Sequence, residues 1–295
     1  MTIDRQQPRA VAFLVLVIAL GAVSHGAIFV RAADAHPFVI AAFRVGTASL
    51  VVVPLTLFLR RSELAGLSRR ALGLSLGAGL FLALHFATWI ASLDYTSIAN
   101  STVLVTLNPV WFAIVMAIAT RRRPSQTVVI SVGLAISGSA IIGWGSSGGN
   151  ANSLLGDGLA ILGGMCTAGY LMLGRLARQD GISLLCYMAI CYGFSAALLW
   201  MLVLVLALPV AGLSLATYQV MIAMGLISQV VGHGGYNWSL KLFNPGFIAL
   251  CLLGEPILAS ILGLIYFGEA IPLATIAGAP FILAGIYLGA RAELR

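Results

Sequence analysis

The stretch Gly181–Leu240 reads GISLLCYMAICYGFSAALLWMLVLVLALPVAGLSLATYQVMIAMGLISQVVGHGGYNWSL and has no Asp, Glu, Lys or Arg in sixty residues. A helix needs about 20 apolar residues to cross a bilayer, so this run is long enough for two crossings. Turn-forming residues divide it at Leu208-Pro-Val-Ala-Gly-Leu-Ser-Leu-Ala-Thr217. The stretch therefore predicts two membrane-spanning helices joined by a short turn.

The rest of the chain has the same character. Of its 295 residues, 60% are hydrophobic and 8% are charged, whereas an ordinary soluble domain has roughly 25% charged residues. Most side chains must therefore face lipid or pack between helices inside the bilayer. This composition excludes a soluble globular protein, and ten spans of about 20 residues each leave no room for a separate soluble domain.

Ten apolar segments, called spans 1 to 10, can be placed along the chain. Their apolar residues are continuous rather than alternating, which favours helices over barrel strands and predicts an all-α polytopic membrane protein. The first segment lacks a clear small-x-small cleavage site, so we expect an uncleaved span rather than a secretory signal. The expected spans are residues 10–30, 37–59, 71–92, 97–120, 125–144, 156–175, 183–207, 217–240, 246–267 and 271–290.

Basic residues are distributed unevenly about these spans. Fourteen of the 16 Lys and Arg residues fall in the tails or in connections from an even-numbered to an odd-numbered span, which share one face. The positive-inside rule places this face and both termini in the cytoplasm, as expected for a bacterial-type inner membrane. The net charge of +7 fits this topology, and no nucleic-acid partner is expected. The fourteen residues are Arg5, Arg9, Arg60, Arg61, Arg69, Arg70, Arg121, Arg122, Arg123, Arg175, Arg178, Lys241, Arg291 and Arg295.

The two halves of the sequence can be overlaid at an offset of 147 residues. This offset pairs Asn108-Pro109 with Glu255-Pro256 and Trp89 with Tyr236, and it keeps all five spans of each half in register. The chain is therefore expected to consist of two repeats, residues 1–150 and 151–295. Because five is an odd number, the second repeat must be inverted in the membrane, a construction found in many secondary transporters.

Several motifs resemble one known family. The stretch Ala91-Ser-Leu-Asp-Tyr-Thr-Ser-Ile-Ala-Asn-Ser-Thr-Val-Leu-Val-Thr-Leu-Asn-Pro-Val-Trp111 looks like the first-repeat signature of the ten-helix, EamA-type drug/metabolite transporter superfamily. Ala42-Phe-Arg44 resembles its arginine in span 2, and Gly156-Asp157, Gly254-Glu-Pro256 and Phe267-Gly-Glu269 resemble second-repeat elements. The sequence departs from the pattern at Arg121-Arg122, where the first repeat usually carries a Gly-Glu pair.

This resemblance implies ten helices with both ends cytoplasmic and a central cavity lined mainly by spans 1, 3, 4, 6, 8 and 9. Members of the family export amino acids, metabolites or toxic cations. Among them, the aromatic amino-acid exporters of the bacterial inner membrane look most similar in length and in their aromatic residues.

Only two charged residues lie well inside the expected spans. Glu255 is an expensive group in hydrocarbon unless it is paired, hydrated or protonated. It is either a protonation or substrate-amine site or a structural carboxylate. Arg44 needs a partner, for which Asp34, Asp94, a helix C-terminus and a substrate carboxylate are candidates. Because span 2 is expected outside the cavity, a structural role is favoured for Arg44.

The best candidates for a binding site are polar and aromatic residues spaced along single helix faces. In span 3, His85 and Trp89 are one turn apart. In span 8, Gln229 shares a face with other polar residues beside the glycines Gly232 and Gly235. Imidazole and amide groups can hold an amino-acid head group and an indole can stack on a flat substrate, although each residue can also serve helix packing. The candidates are His25, His85, Trp89, Asn108, Trp111, Tyr170, His233, Tyr236 and Asn237, with Glu255 for coupling.

Other classes of protein lack their motifs here. Lys241 is the only lysine and follows no phosphate-binding loop, which excludes a nucleotide-driven pump within this chain. An intramembrane protease would need His-Glu-x-x-His or two buried aspartates, and a channel would need a filter motif. The sequence predicts a secondary transporter that exports amino acids, with aromatic or hydrophobic ones favoured, or related metabolites. The alternative is an exporter of drugs or toxic organic cations.

Few other partners are expected. No cofactor is needed for gradient-driven transport. The four cysteines lack metal-ligand spacing, so no metal site is predicted. Asp157 is expected to cap the N-terminus of span 6. The glycines of spans 5 and 10 predict close helix packing, with a homodimer through span 10 as one option.

Overall fold

The computed structural model describes residues 9–96, 98–121, 124–144 and 153–293. These residues form fourteen α-helices and one π-helical stretch, and they contain no strand. The repeat boundary expected at residues 150 and 151 lies outside the described residues. So do four of the arginines used to predict orientation, namely Arg5, Arg122, Arg123 and Arg295.

The helices follow the expected spans, and short polar turns separate them. Serine side chains accept hydrogen bonds from backbone N–H groups at the starts of α4, α9 and α10, which satisfies donors that a helix leaves free. The bounds are α1 Arg9–Ala32, α2 Pro37–Leu59, α3 Arg61–Ala65, α4 Arg69–Ser92, α5 Ile98–Val105, α6 Asn108–Thr120, α7 Gln126–Trp144, α8 Ser153–Gln179, α9 Leu184–Val205, α10 Leu215–Met224, the π-helical stretch Gly225–His233, α11 Gly234–Ser239, α12 Pro245–Leu252, α13 Glu255–Phe267 and α14 Leu273–Glu293.

Within the described residues, nine helical segments are long and apolar enough to cross a membrane. Span 4 consists of α5 and α6. Span 8 runs through α10, the π-helical stretch and α11, and span 9 consists of α12 and α13. Spans 1, 2, 3, 5, 6, 7 and 10 are α1, α2, α4, α7, α8, α9 and α14. The prediction of an all-α polytopic membrane protein is confirmed.

The internal repeat is visible in the lengths and starts of the helices. α5 and α12 each have eight residues, and α6 and α13 each have thirteen. In each pair, the second helix begins 147 positions after the first. The same separation is found between the starts of α2 and α9 and between the starts of α7 and α14. The helices of the two halves are therefore related by the same offset of 147 residues as the sequence.

Helix packing has the same approximate symmetry. α2 packs on α9 and α7 packs on α14, so equivalent spans of the two halves meet. α4 packs on α8, and α1 packs correspondingly on span 8. A Cβ added to Gly138 in α7 or to Gly278 in α14 would collide with the backbone of the other glycine. The small-residue faces of spans 5 and 10 therefore pack against each other inside the chain.

Burial follows the expectation for a protein surrounded by lipid. Large apolar side chains lie on the outside, for example Phe58 at 86% and Leu273 at 84% exposed. Buried polar side chains include Arg44, His85, Asn237 and Glu255. The molecule thus presents an apolar exterior around a partly polar centre, which is the arrangement required to bind a polar ligand within the bilayer.

One predicted helix cap is wrong. α8 begins at Ser153, so Asp157 lies one turn inside the helix instead of at its N-terminus. Its carboxylate accepts a hydrogen bond at 2.9 Å from the hydroxyl of Thr96, in the connection between spans 3 and 4. The residue joins the start of span 6 to a neighbouring segment, a contact that local sequence alone does not reveal.

Candidate functional site

A small cavity lies at the centre of the helices, where the two halves meet. It has a volume of about 30 Å³, which is room for only one or two water molecules. Residues from spans 1, 2, 3, 4, 6, 8 and 9 line it. Six of these seven spans are those implied by the family resemblance, and span 2 is the addition.

The cavity lies beside two interrupted helices. Span 4 is interrupted at Thr106 and Leu107, and the interruption of span 9 comes directly before Glu255. The second residue of each following helix, α6 and α13, is a proline, which suits the first helical turn because it has no N–H to leave unpaired. Asn108 and Glu255 are the first residues of these half-helices, and both line the cavity. The positive ends of two helix dipoles therefore lie at the cavity wall.

Arg44 lines the cavity even though span 2 is expected to lie outside it. Its side chain is 1% exposed, and its Nε donates a hydrogen bond at 3.0 Å to the side-chain oxygen of Gln229. Its guanidinium carbon lies 4.2 Å from the ring centroid of Phe86. Within the described residues no hydrogen bond or salt bridge joins it to either of the aspartates considered as partners, Asp34 and Asp94.

Two glycines explain how this arginine reaches the centre. A Cβ added to Gly225, in the π-helical stretch, would lie 2.9 Å from the carbonyl oxygen of Arg44, so span 8 packs closely against span 2. A Cβ on Gly26 in span 1 would lie 3.3 Å from Nη1 of Arg44, so this glycine makes room for the guanidinium. The expectation that span 2 stays outside the cavity is wrong for Arg44, because Gly225 lets span 8 pack close to its backbone and Gly26 leaves room for its side chain.

His85 and Trp89 form one wall of the cavity, as their spacing in span 3 predicts. Their rings are parallel within 2°, with centroids 6.0 Å apart. Nδ1 of His85 lies 3.1 Å from the carbonyl oxygen of Gly163 and 2.8 Å from the hydroxyl of Thr167, both in span 6. Because a carbonyl can only accept, the hydrogen bond to Gly163 requires a hydrogen on Nδ1. In the neutral ring, Nε2 is then the acceptor.

His233, the last residue of the π-helical stretch, also lines the cavity. Its ring centroid lies 5.4 Å from that of Phe86 and 6.4 Å from that of His85. The rings of Tyr170 and Tyr236 contact it at 5.9 and 6.0 Å. A π-helical turn is rare and is often found at functional sites, and here it carries both His233 and the partner of Arg44.

Tyr170 and Asn237 form a hydrogen-bonded layer behind His233 and do not line the cavity. The hydroxyl of Tyr170 donates to Oδ1 of Asn237 at 2.6 Å, and Nδ2 of Asn237 donates to the hydroxyl of Tyr192 at 3.0 Å. This buried chain fixes the helix that carries His233. Tyr192 is absent from the sequence candidates because nothing along span 7 distinguishes it from the other aromatic residues there.

Two sequence candidates lie away from the central cavity. Nδ1 of His25 donates to the carbonyl oxygen of Gly21 at 2.8 Å, and the ring contacts Phe29 and Tyr266. Trp111 does not line the cavity. The structure thus groups His85, Trp89, Asn108, His233 and Glu255. It adds Phe86, Thr106 and Thr167, of which only Thr167 has a recognisable signal, a hydroxyl in an apolar helix one turn after Gly163.

Two larger cavities lie on either side of the centre and are related by the repeat. The first, called the basic-face cavity, has about 350 Å³ and is lined by Pro109, Phe112, Ala113 and Ser125. The second, called the opposite-face cavity, has about 170 Å³ and is lined by the equivalent residues, 147 positions later. The basic-face cavity extends to the break in span 4 and the opposite-face cavity extends to the break in span 9. The central cavity lies between these two breaks.

Of the two flanking cavities, the opposite-face cavity is the one lined by an ion pair among the described residues. Arg31 at the end of α1 pairs with Glu269 in the connection between spans 9 and 10. The guanidinium carbon of Arg31 also lies 4.6 Å from the ring centroid of Phe267. The hydrogen bond from Arg31 lowers the pKa of Glu269 below its usual range, so this carboxylate is ionised at neutral pH.

These observations define a polytopic membrane protein with two repeats and a buried polar site between them. The sequence matches the EamA-like transporter family over residues 12–144 and 154–290, once for each half. The chain therefore belongs to this family of membrane transporters of small molecules.

One solved structure, described only as the crystal structure of a protein, is similar in fold. It is 18% identical, the match covers 97% of this chain and 98% of that one, and the TM-score is 0.77. This likeness concerns the fold alone. No curated protein sequence matches the chain at a significant level.

Proposed function

We propose that the protein is a secondary transporter of the inner membrane that exports amino acids, with aromatic and hydrophobic ones favoured, or related small metabolites. The observation that carries this proposal is the central cavity, whose wall combines one guanidinium, one carboxylate and a stacked imidazole and indole. Such a wall offers a group for each part of an aromatic amino acid. Both termini are proposed to be cytoplasmic, on the distribution of basic residues.

Transport would proceed by alternating access. The central cavity of about 30 Å³ is too small for an amino acid, so the substrate has to widen it from one of the two flanking cavities. The basic-face cavity reaches Pro109, just after the break in span 4, and the opposite-face cavity reaches Pro256, just after the break in span 9. A rocking of one repeat against the other would open one cavity and close the other around the fixed central site.

Glu255 is proposed to carry the coupling proton. It is 6% exposed, and within the described residues it has no hydrogen bond or salt bridge from a side chain. A buried carboxylate without a fixed partner can take up a proton or bind an ammonium group as the pathway opens. Glu255→Gln should abolish the dependence of transport on an imposed pH gradient, and a retained dependence would reject this role.

The test of the transport proposal is uptake by purified protein in liposomes. A panel of labelled amino acids should exchange saturably in the presence of the protein, with and without a proton gradient. Empty liposomes and liposomes with the Glu255→Gln variant are the controls. No uptake above empty liposomes across the panel would refute the proposal.

An exporter of drugs or toxic organic cations is the second candidate. A carboxylate and aromatic rings around one cavity, Glu255 with Phe86 and Trp89, also suit an organic cation. Including hydrophobic cations in the same panel separates the two, because a cation exporter would move them in preference to amino acids. We do not propose an enzyme, since the sequence offers none of the catalytic motifs considered above.

A further inference from the structure

The wall of the central cavity carries N–H donors that lack acceptors. Within the described residues, Nη1 of Arg44, Nε1 of Trp89 and Nε2 of Gln229 are buried and have no hydrogen-bond partner. Arg44 and Trp89 line the cavity, and Gln229 holds Arg44 through its side-chain oxygen. Buried donors are rarely left unpaired in a folded protein. An acceptor that enters the central cavity could therefore pair with the donors that line it.

The same cavity contains a carboxylate on a different helix. Glu255 begins α13 in span 9, whereas the donors belong to spans 2, 3 and 8. No salt bridge joins Arg44 to Glu255 among the described residues, so neither charged group is held in direct contact with the other. The cavity therefore has a positive, donor-rich part and a separate negative part, with the rings of His85 and Trp89 beside them.

We propose that Arg44, held in place by Gln229, is the receptor for the carboxylate of an α-amino acid whose ammonium group is bound by Glu255. The proposal rests on the transport function proposed above and names the part of the substrate that each charge recognises. A guanidinium binds a carboxylate through two parallel hydrogen bonds. The hydrogen bond between Nε of Arg44 and Gln229 fixes the guanidinium so that Nη1 can serve the ligand.

Ligands with a single charge fit this arrangement less well. An inorganic anion would satisfy Arg44 but would leave Glu255 unpaired nearby, and an amine would do the reverse. A zwitterion satisfies both groups at once. The receptor should therefore discriminate L-phenylalanine from phenethylamine, which lacks the carboxylate, and from 3-phenylpropionate, which lacks the ammonium group.

The test measures uptake of these three probes in liposomes by the wild type and by Arg44→Gln. We expect phenylalanine uptake to fall at least tenfold in the variant, while phenethylamine uptake is unchanged or higher. Arg61→Gln, which removes an exposed arginine outside the cavity, should leave all three rates unchanged. An equal loss for phenylalanine and phenethylamine, or an unchanged rate for phenylalanine, would overturn the assignment of Arg44.

A second variant keeps the arginine in place in case Arg44→Gln fails to fold. Gly26→Ala would place a methyl group 3.3 Å from Nη1 of Arg44 and should raise KM for phenylalanine severalfold without affecting phenethylamine. Equal effects on the two probes would contradict the proposal. If the wild type moves no amino acid, the transport proposal fails as well. If it moves phenylalanine and both variants do so at the wild-type rate, only the receptor is wrong.

Discussion

Spans 4 and 9 have the same construction but different chemistry. Each consists of a helix of eight residues, a break and a helix of thirteen residues that has proline in its second position. The first residue after the break is Asn108 in one span and Glu255 in the other. The broken helix is thus a feature of the repeated scaffold and does not require a charge. The ionisable group belongs to the second repeat alone.

The connections that follow these two spans also differ. Span 9 ends at Gly268 with φ of 67°, followed by Glu269, which pairs with Arg31. Span 4 ends at Arg121, also in the left-handed region with φ of 53°, and is followed by a further arginine in the sequence. The equivalent of Arg31 is Arg178, whose guanidinium donates to the carbonyl of Ile182 at 2.5 Å. On one face, an ion pair joins α1 to the connection after span 9. On the other face, the equivalent arginine, Arg178, instead donates a hydrogen bond to a backbone carbonyl.

The largest effect is expected from removing the charge difference at the two breaks. Glu255→Asn makes the start of α13 resemble that of α6 and should lower the transport rate about 10- to 100-fold, the loss expected for a hydrogen bond to a charged group. Asn108→Ala is the matched change in span 4 and should cost less than tenfold. Initial rates of amino-acid uptake in liposomes measure both. Equal losses would mean that the two breaks contribute alike.

A smaller difference, in KM for aromatic amino acids, is expected between substitutions of Trp89 and Tyr236, which occupy equivalent positions in the two repeats. Trp89 lines the cavity, so Trp89→Leu should raise KM for aromatic amino acids by about tenfold, as expected when an aromatic stacking contact of about 1 kcal/mol is lost together with apolar contact. The hydroxyl of Tyr236 has no hydrogen-bond partner within the described residues. Tyr236→Phe should therefore leave KM within about twofold. A larger effect at Tyr236 would place the binding surface on span 8.

Much of this arrangement can be predicted from the sequence, for reasons that differ between residues. The sequence predicts spans 4 and 9 as single helices, and proline alone does not reveal their breaks, because Pro54 and Pro280 lie inside the unbroken helices α2 and α14. His85 and Trp89 are recognisable because they are one helical turn apart. Arg44 could be identified as an unusual residue but not placed in the cavity. Its position depends on gaps at Gly26 and Gly225, which lie in other spans.

The next prediction compares the left-handed residues that end spans 4 and 9. Arg121→Gly should stabilise the protein and Gly268→Ala should destabilise it, each by about 1 kcal/mol, because only glycine adopts this backbone conformation without strain. A Cβ on Gly268 would meet no atom within 4 Å, so the cost there is confined to the backbone. Thermal unfolding in detergent measures both changes. A shift of the same sign in the two variants would show that strain is not the cause.

The smallest effect is expected from breaking the ion pair that distinguishes the two faces. Arg31 and Glu269 are 42% and 46% exposed, and exposed pairs contribute about 0–1 kcal/mol. Glu269→Gln should therefore shift the balance between the two flanking cavities by about fivefold at most. The readout is the rate at which a maleimide labels a cysteine introduced at Ser260, in the opposite-face cavity, or at its equivalent Ala113, in the basic-face cavity.

Labelling at Ser260→Cys should become faster in Glu269→Gln, and labelling at Ala113→Cys slower, because the pair holds α1 against the connection that closes the opposite face. The hydrogen bond from Arg31 lowers the pKa of Glu269, so the carboxylate stays ionised as the pH falls until that lowered pKa is reached, and the pair is lost only below it. The absolute labelling rate rises with pH because only the thiolate reacts, so the ratio of the rates with Glu269 intact and with Glu269→Gln, measured at the same cysteine, should be constant between about pH 6 and pH 8. Parallel changes at both cysteines would mean that the ion pair stabilises the whole protein and does not favour closure of one face.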